Sequence, residues 1–168
     1  MKQHADPKEP SPVHRALDGL REYEAAVDDV IGQACACVRV FDYTLSTAFN
    51  SPARHALLRR FLLASRRNAL RIAVHDAGPV DRNSPRMLLL LRQLGHAIHI
   101  HETHPVAKTV YDPFVVVDDR HFARRFHFDE TRGLLGQHDP IGARALIERF
   151  EEIWEASSPA VSATTLGL

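Results

Sequence analysis

Tyr111-Asp-Pro-Phe-Val-Val-Val-Asp118 is the stretch on which the fold turns. Four apolar residues, three of them β-branched valines, follow a proline and end on an aspartate. Such a run, bounded by turn-forming residues, reads as a short buried strand over Phe114–Val117. The next strand-like stretch, Phe122 to Phe128, follows Asp118-Asp119-Arg120-His121, which reads as the turn of a hairpin. Upstream, Cys37 to Tyr43, Leu70 to His75 and Ala97 to His101 are further short, β-branched stretches.

Helical patterns lie between them. A capping residue precedes proline at Ser11-Pro12, Ser51-Pro52, Ser84-Pro85 and Asp139-Pro140, the pairing that starts helices. The helical stripes that follow are Leu17, Leu20, Val27, Val30 and Ile31; Leu57, Leu58, Phe61 and Leu62; Met87, Leu88, Leu91 and Leu94; and Ala143 through Phe150 to Trp154. Gly95 is the expected left-handed C-cap of the third. The predicted order is α-β-α-β-α-β-β-β-α. Alternation in the first half implies a mainly parallel sheet, and the hairpin adds antiparallel pairing. The expectation is therefore an α/β domain over 11–158, with a mixed sheet of about five to six strands flanked by four helices. Residues 1–10 and 159–168 are expected to be disordered tails.

Composition narrows the function classes. Twenty-one basic residues balance twenty-one acidic ones, so no global field attracts polyanions and any basic surface must be local. Cys35 and Cys37 are too close for an unstrained bridge and lack the redox spacing, which fits thiols in a reducing compartment. The N-terminal ten residues carry no apolar signal core, and no apolar run is long enough to span a bilayer. A cytoplasmic protein with no membrane association is the expectation.

The ordered set of elements resembles one half of a phospholipase-D-like domain. In that superfamily a first strand ends in aromatic and polar residues, as Val38-Arg-Val-Phe-Asp-Tyr43 does. The helix and strand ending Arg71-Ile-Ala-Val-His75 follow, then Gln93-Leu-Gly-His96 and Ala97-Ile-His-Ile100, a motif strand, a hairpin, and a last helix with the spacing of Phe150 and Trp154. The resemblance spans about residues 14–158 and is similar to a proteobacterial group of such domains of unknown function. The superfamily motif is His-x-Lys-x4-Asp. Aligning its Asp with Asp118 puts Tyr111 at the nucleophilic His and Pro113 at the phosphate-holding Lys. A phenol is protonated at neutral pH, and proline offers neither charge nor N–H. The small segment usual after the motif is replaced by Ala123-Arg-Arg-Phe-His-Phe128. The resemblance thus implies the fold without the reaction: a degenerate motif in a non-catalytic binding or interaction module.

Candidate site residues follow from strand ends. Asp42, His75 and Asp76 close two predicted parallel strands, at the edge where open α/β sheets bind ligands. With Tyr111, Asp112 and Asp118 they would form an acidic, histidine-containing pocket, the phenol bonding to a neighbour such as Asp118. The bland alternative has Asp42 and Asp76 capping turns. His104 and Lys108 read as a solvated loop pair, and His99 and His101 as surface imidazoles on an outer strand. No cofactor and no metal site is expected. Arginines group at Arg54, Arg59, Arg60, Arg66, Arg67 and Arg71, and at Arg120, Arg124, Arg125 and Arg132. Alternation with Phe126 and Phe128 makes Arg124 and Arg125 the candidate phosphate-binding pair, although nucleic acid is not the favoured partner. The rival reading is an enzyme with a rebuilt, metal-assisted site on the same pocket. An unidentified ligand or protein is the expected partner, and a lone half-domain is compatible with a homodimer.

Overall fold

A computed structural model describes residues 8–162. Within them the chain forms strands β1 (Val13–Asp18), β2 (Cys37–Asp42), β3 (Ala69–Val74), β4 (Ile98–Thr103), β5 (Phe114–Val117), β6 (His121–Arg125), β7 (Arg132–Gln137) and β8 (Ser157–Val161). The helices are α1 (Leu20–Ile31), α2 (Pro52–Ala64), α3 (Val80–Asn83), α4 (Pro85–Leu94) and α5 (Pro140–Glu155). All eight strands join one sheet in the order β1-β7-β6-β5-β2-β3-β4-β8. β2, β3 and β4 are parallel; every other pairing is antiparallel. The α/β class and mixed sheet are as expected, but there are more strands than expected, and the two parallel pairings are outnumbered by five antiparallel ones, so the sheet is not mainly parallel.

The sheet is buried on both sides. One face lies against α1, α2 and α4 through a core that includes Val30, Val40, Leu58, Ile72 and Leu91. α5 covers part of the other through Phe41, Phe114, Phe122 and Phe150. Fully burying one such phenylalanine contributes about 2–3 kcal/mol, so these rings alone anchor α5.

Three departures have physical causes. Val13–Asp18 is an edge strand, not the start of helix one. Leu17 and Leu20 sit three apart as on a helix, but Gly19 between them has φ of 106°, which turns the chain from strand into α1. β7 was hidden by Gly133 and Gly136. A Cβ at Gly136 would come within 2.3 Å of the Phe122 ring, so glycine is what lets β6 and β7 pair here. The chain does not become a tail at residue 159: β8 continues to Val161 along β4. Pro159 is tolerated because β8 is an edge strand. The remainder of both expected tails, residues 1–7 and 163–168, lies outside the described residues.

Helix starts follow the capping rule in part. Ser51 accepts the Arg54 amide at 3.1 Å and Asp139 the Gly142 amide at 2.9 Å. Ser84 leads into α4 without a cap bond, and Gly95 closes it at φ −59°, so the left-handed C-cap is not formed. Among the described residues no helix is long and apolar enough to cross a membrane.

Candidate functional site

β5 runs antiparallel to β2, with Phe114 opposite Phe41 and Val117 opposite Val38. Four strand residues therefore carry the chain roughly 13 Å, from the C-terminal edge of the parallel strands to their N-terminal edge. Tyr111 stands at the first edge and Asp118 at the second, so the expected six-residue pocket does not assemble. Asp118 is the residue removed from it.

At the N-terminal edge Asp118 has a structural task. Its Oδ1 accepts the backbone amides of Ala36 (2.8 Å) and Cys37 (2.9 Å), and its Oδ2 that of Cys35 (3.0 Å). One carboxylate thus fixes the loop that launches β2. The residue itself turns the hairpin at φ 53°. A groove of about 710 Å³ opens beside it, lined by Cys35, Cys37, Arg39, Arg120 and His121 among others. Its charges are largely spent: Arg120 pairs with Asp119 at 2.8 Å and Arg39 with Glu151 at 3.3 Å. Burial pushes the Cys37 thiol pKa up, which keeps it protonated.

The C-terminal edge is aromatic. Tyr43, Tyr111 and Phe126 are 54%, 50% and 47% exposed there. Phe128 bridges them, its centroid 5.5 Å from Tyr43 and 6.4 Å from Tyr111, and Tyr111 stacks on His127 at 5.5 Å. Below this surface His75 sits edge-on to Phe41 (5.2 Å), Tyr43 (5.8 Å) and Phe128 (5.7 Å).

His75 has no free nitrogen. Nε2 lies 2.7 Å from the Val110 carbonyl, which can only accept, so Nε2 carries the proton. Nδ1, 2.6 Å from Thr103 Oγ1, then accepts the threonine hydroxyl. Burial is the main cause that lowers the His75 pKa, and the Lys108 ammonium adds to it. The imidazole is therefore neutral at physiological pH, with its lone pair occupied. His127 is similarly committed: its Nδ1 accepts the Asp129 amide at 3.1 Å, which leaves Nε2–H as a donor.

The three other expected pocket acids diverge. Asp76 is an exposed turn cap, its Oδ1 accepting the Gly78 amide at 2.9 Å. Asp42 accepts the Tyr43 amide at 2.7 Å. Its carboxyl is pushed up to about 7, first by burial and then by the nearby Glu24 charge; the Tyr43 amide and Arg125 oppose this. Asp112 faces away toward α5, held by Arg149 and, at 3.7 Å, by Arg124. Lys108 is not a loose loop cation: its Nζ donates to the His75 carbonyl at 2.8 Å and ties the approach to β5 onto the end of β3.

Arg124 and Arg125 do not form a common anion clamp. As neighbours on β6 they project to opposite faces of the sheet. Arg124 meets Asp112 and the Phe126 ring, at 5.5 Å. Arg125 donates to the Glu130 and Phe128 carbonyls and lies 5.7 Å over Tyr23. The histidine series on β4 is dispersed too. His99 is exposed, His101 stacks on Trp154 at 3.6 Å, and His104 meets Ser158 Oγ at 2.5 Å. Among the described residues no group of three or more His, Cys, Asp or Glu is placed to hold a metal ion.

Sequence reasoning missed Thr103, Tyr43 and Phe128 as parts of this edge. Tyr43 was legible as the end of a strand. Thr103 and Phe128 reach it only through the pairing of β4 with β3 and the bend after β6, which no local pattern encodes.

Solved structures of the phospholipase D family share this fold. Nuc from Salmonella typhimurium, a phospholipase D family member, superimposes with a TM-score of 0.63 at 17% identity, over 90% of this chain and 100% of that one. NucT from Helicobacter pylori gives 0.60 at 14%, over 89% and 100%. TrmBL2, an archaeal chromatin protein with a novel mode of DNA binding, gives 0.64 at 10%, over 94% of this chain but 57% of its own. No curated protein matches the chain. The chain belongs to the family described as Domain of unknown function (DUF7931), whose model matches residues 20–166.

Proposed function

We propose that this is a non-catalytic member of the phospholipase-D-like fold, in which the C-terminal edge serves as a binding surface with no phosphodiester chemistry. The observation that carries the reading is the state of the histidines there. The superfamily reaction needs an imidazole lone pair aimed at phosphorus. Alignment of the motif on Asp118 gives Tyr111 in place of that histidine and Pro113 in place of the lysine, and the two imidazoles nearby have their lone pairs occupied by Thr103 and Asp129. What the edge offers instead is flat aromatic area and a few donors, including Lys108, a combination suited to a ligand with an aromatic or planar group.

One feature favours the rival, an enzyme with a rebuilt site: a carboxyl poised at about 7 suits general acid–base catalysis. Bis(para-nitrophenyl) phosphate separates the two, since it carries both aromatic rings and a scissile diester. The binding reading expects amide shifts for Tyr43, Tyr111 and Phe128 on NMR titration, weakened at least about threefold by Tyr111→Ala, with no nitrophenolate released. Release of nitrophenolate that Asp42→Asn abolishes would establish the rival. Absence of both binding and release would remove the ligand role of this edge.

A further inference from the structure

The arginines of α2 and of the turn that follows it fall into two groups. Arg54 is fully buried: Nε donates to Asp28 Oδ1 at 2.7 Å, and the two Nη atoms to Glu24 Oε2 and the Glu24 carbonyl, each at 2.8 Å. Its guanidinium lies 4.6 Å over Phe49. It pins α2 to α1 and is unavailable to a ligand.

Arg59, Arg60, Arg66 and Arg67 are the opposite case. All four are exposed, and none makes an ion pair or a side-chain hydrogen bond with another described residue. The run Ser51–Asn68 contains no Asp or Glu, so no neighbour in sequence neutralises them. Elsewhere arginines find acids readily: Arg39 and Arg71 share Glu151, and Arg124 and Arg149 share Asp112. One or two cations at a helix C-terminus complement its dipole. Four together repel one another, at a cost that a bound polyanion would relieve.

Placement suggests what that polyanion is. From Arg59 to Arg67 the chain advances roughly 10 Å along and just beyond the helix, where a nucleic-acid duplex presents one negative charge per about 1.7 Å of axis. Guanidinium forks match phosphate oxygens. Beside the cations lie Ala56, Leu63, Ala64 and the half-buried His55, with no phenylalanine, tyrosine or tryptophan to stack on a base. A membrane-surface helix would need a broad apolar stripe facing the lipid. Here that stripe (Leu58, Phe61 and Leu62) is buried in the core.

We infer that the outer face of α2 and the turn that follows it, through Arg59, Arg60, Arg66 and Arg67, form a docking surface for the phosphate backbone of nucleic acid, holding it without reading its sequence. This surface is separate from the aromatic edge and from the Arg124–Arg125 pair.

Fluorescence anisotropy with the full chain and two unrelated DNA duplexes of about 20 base pairs tests it. The expected result is similar affinity for both duplexes, with log affinity falling against log salt with a slope near −3.6, from about 0.9 per neutralised phosphate. Replacing all four arginines by glutamine should weaken binding at least about tenfold. The variant Arg66→Gln with Arg67→Gln lies outside the helix and leaves its packing intact; it should flatten the slope by roughly two. Tyr111→Ala, and Arg124→Gln with Arg125→Gln, should leave affinity unchanged. Absence of duplex binding, binding indifferent to the α2 variants, or binding confined to phosphatidylserine vesicles would each overturn the proposal.

Discussion

The two ends of β5 have had different fates. At one end Asp118, aligned with the aspartate of the superfamily motif, holds three successive backbone amides and starts the neighbouring strand. At the other, Tyr111 and Pro113 lead into the strand, and aromatic rings fill the surroundings. The contrast separates two duties that a motif merges. The aspartate is needed to build the sheet edge whether or not chemistry occurs there. The fold accommodates proline at 113: it is buried and its carbonyl accepts the Arg125 amide at 2.9 Å.

Substitutions at the two ends sharpen this difference. Asp118→Ala should be the costliest, at about 4 kcal/mol by urea denaturation. It removes three hydrogen bonds to a carboxylate and places a Cβ residue without a polar side chain at φ 53°. Asp118→Asn, which keeps an acceptor and tolerates that backbone, should lose about half as much. An Asp118→Ala protein as stable as the wild type would remove the structural half of the comparison.

Asp42 gives a smaller, pH-dependent effect. Its pKa of about 7 in the folded protein lies above the unfolded value of about 3.9, so the folded state holds the proton more tightly. Stability from this group is complete below about pH 4 and is lost as pH rises toward 7. Asp42→Asn, an uncharged near-isostere, should flatten that decline and stabilise the protein at pH 8 by about 2–3 kcal/mol. An unchanged pH profile would show that the carboxyl is effectively hydrated. Tyr111→Ala should matter least for folding, at under about 1 kcal/mol, because half of the ring is exposed. Its effect belongs to ligand binding.

Much of the fold was legible because short β-branched runs and capped helices alternate, and because buried stripes such as Leu58, Phe61 and Leu62 keep a helical period. The strands that escaped, β1, β7 and β8, are rich in charge, glycine or proline. They form through partners distant in sequence: Val13 pairs with Gln137, and Ser157 with Thr103. The site was legible only as far as strand ends are. Asp42, His75 and Tyr111 lie at one edge, the edge that the rule for open α/β sheets singles out. Asp118 was misplaced because seven residues of spacing conceal a full crossing of the sheet. Which arginines are free was not readable at all. Arg54 and Arg59 look alike in the sequence, and only packing against Glu24 and Asp28 distinguishes them.

The most direct test is the protonation state of His75, followed by histidine-selective ¹⁵N NMR from about pH 8 to about pH 5.5. The account predicts a titration midpoint displaced below the ordinary value and a neutral form protonated at Nε2, with Nδ1 as acceptor of the Thr103 hydroxyl. His75 titrating near the ordinary value of about 6.5, or carrying its proton on Nδ1 so that Nε2 is free to attack, would contradict it and return this edge to the chemistry of its fold.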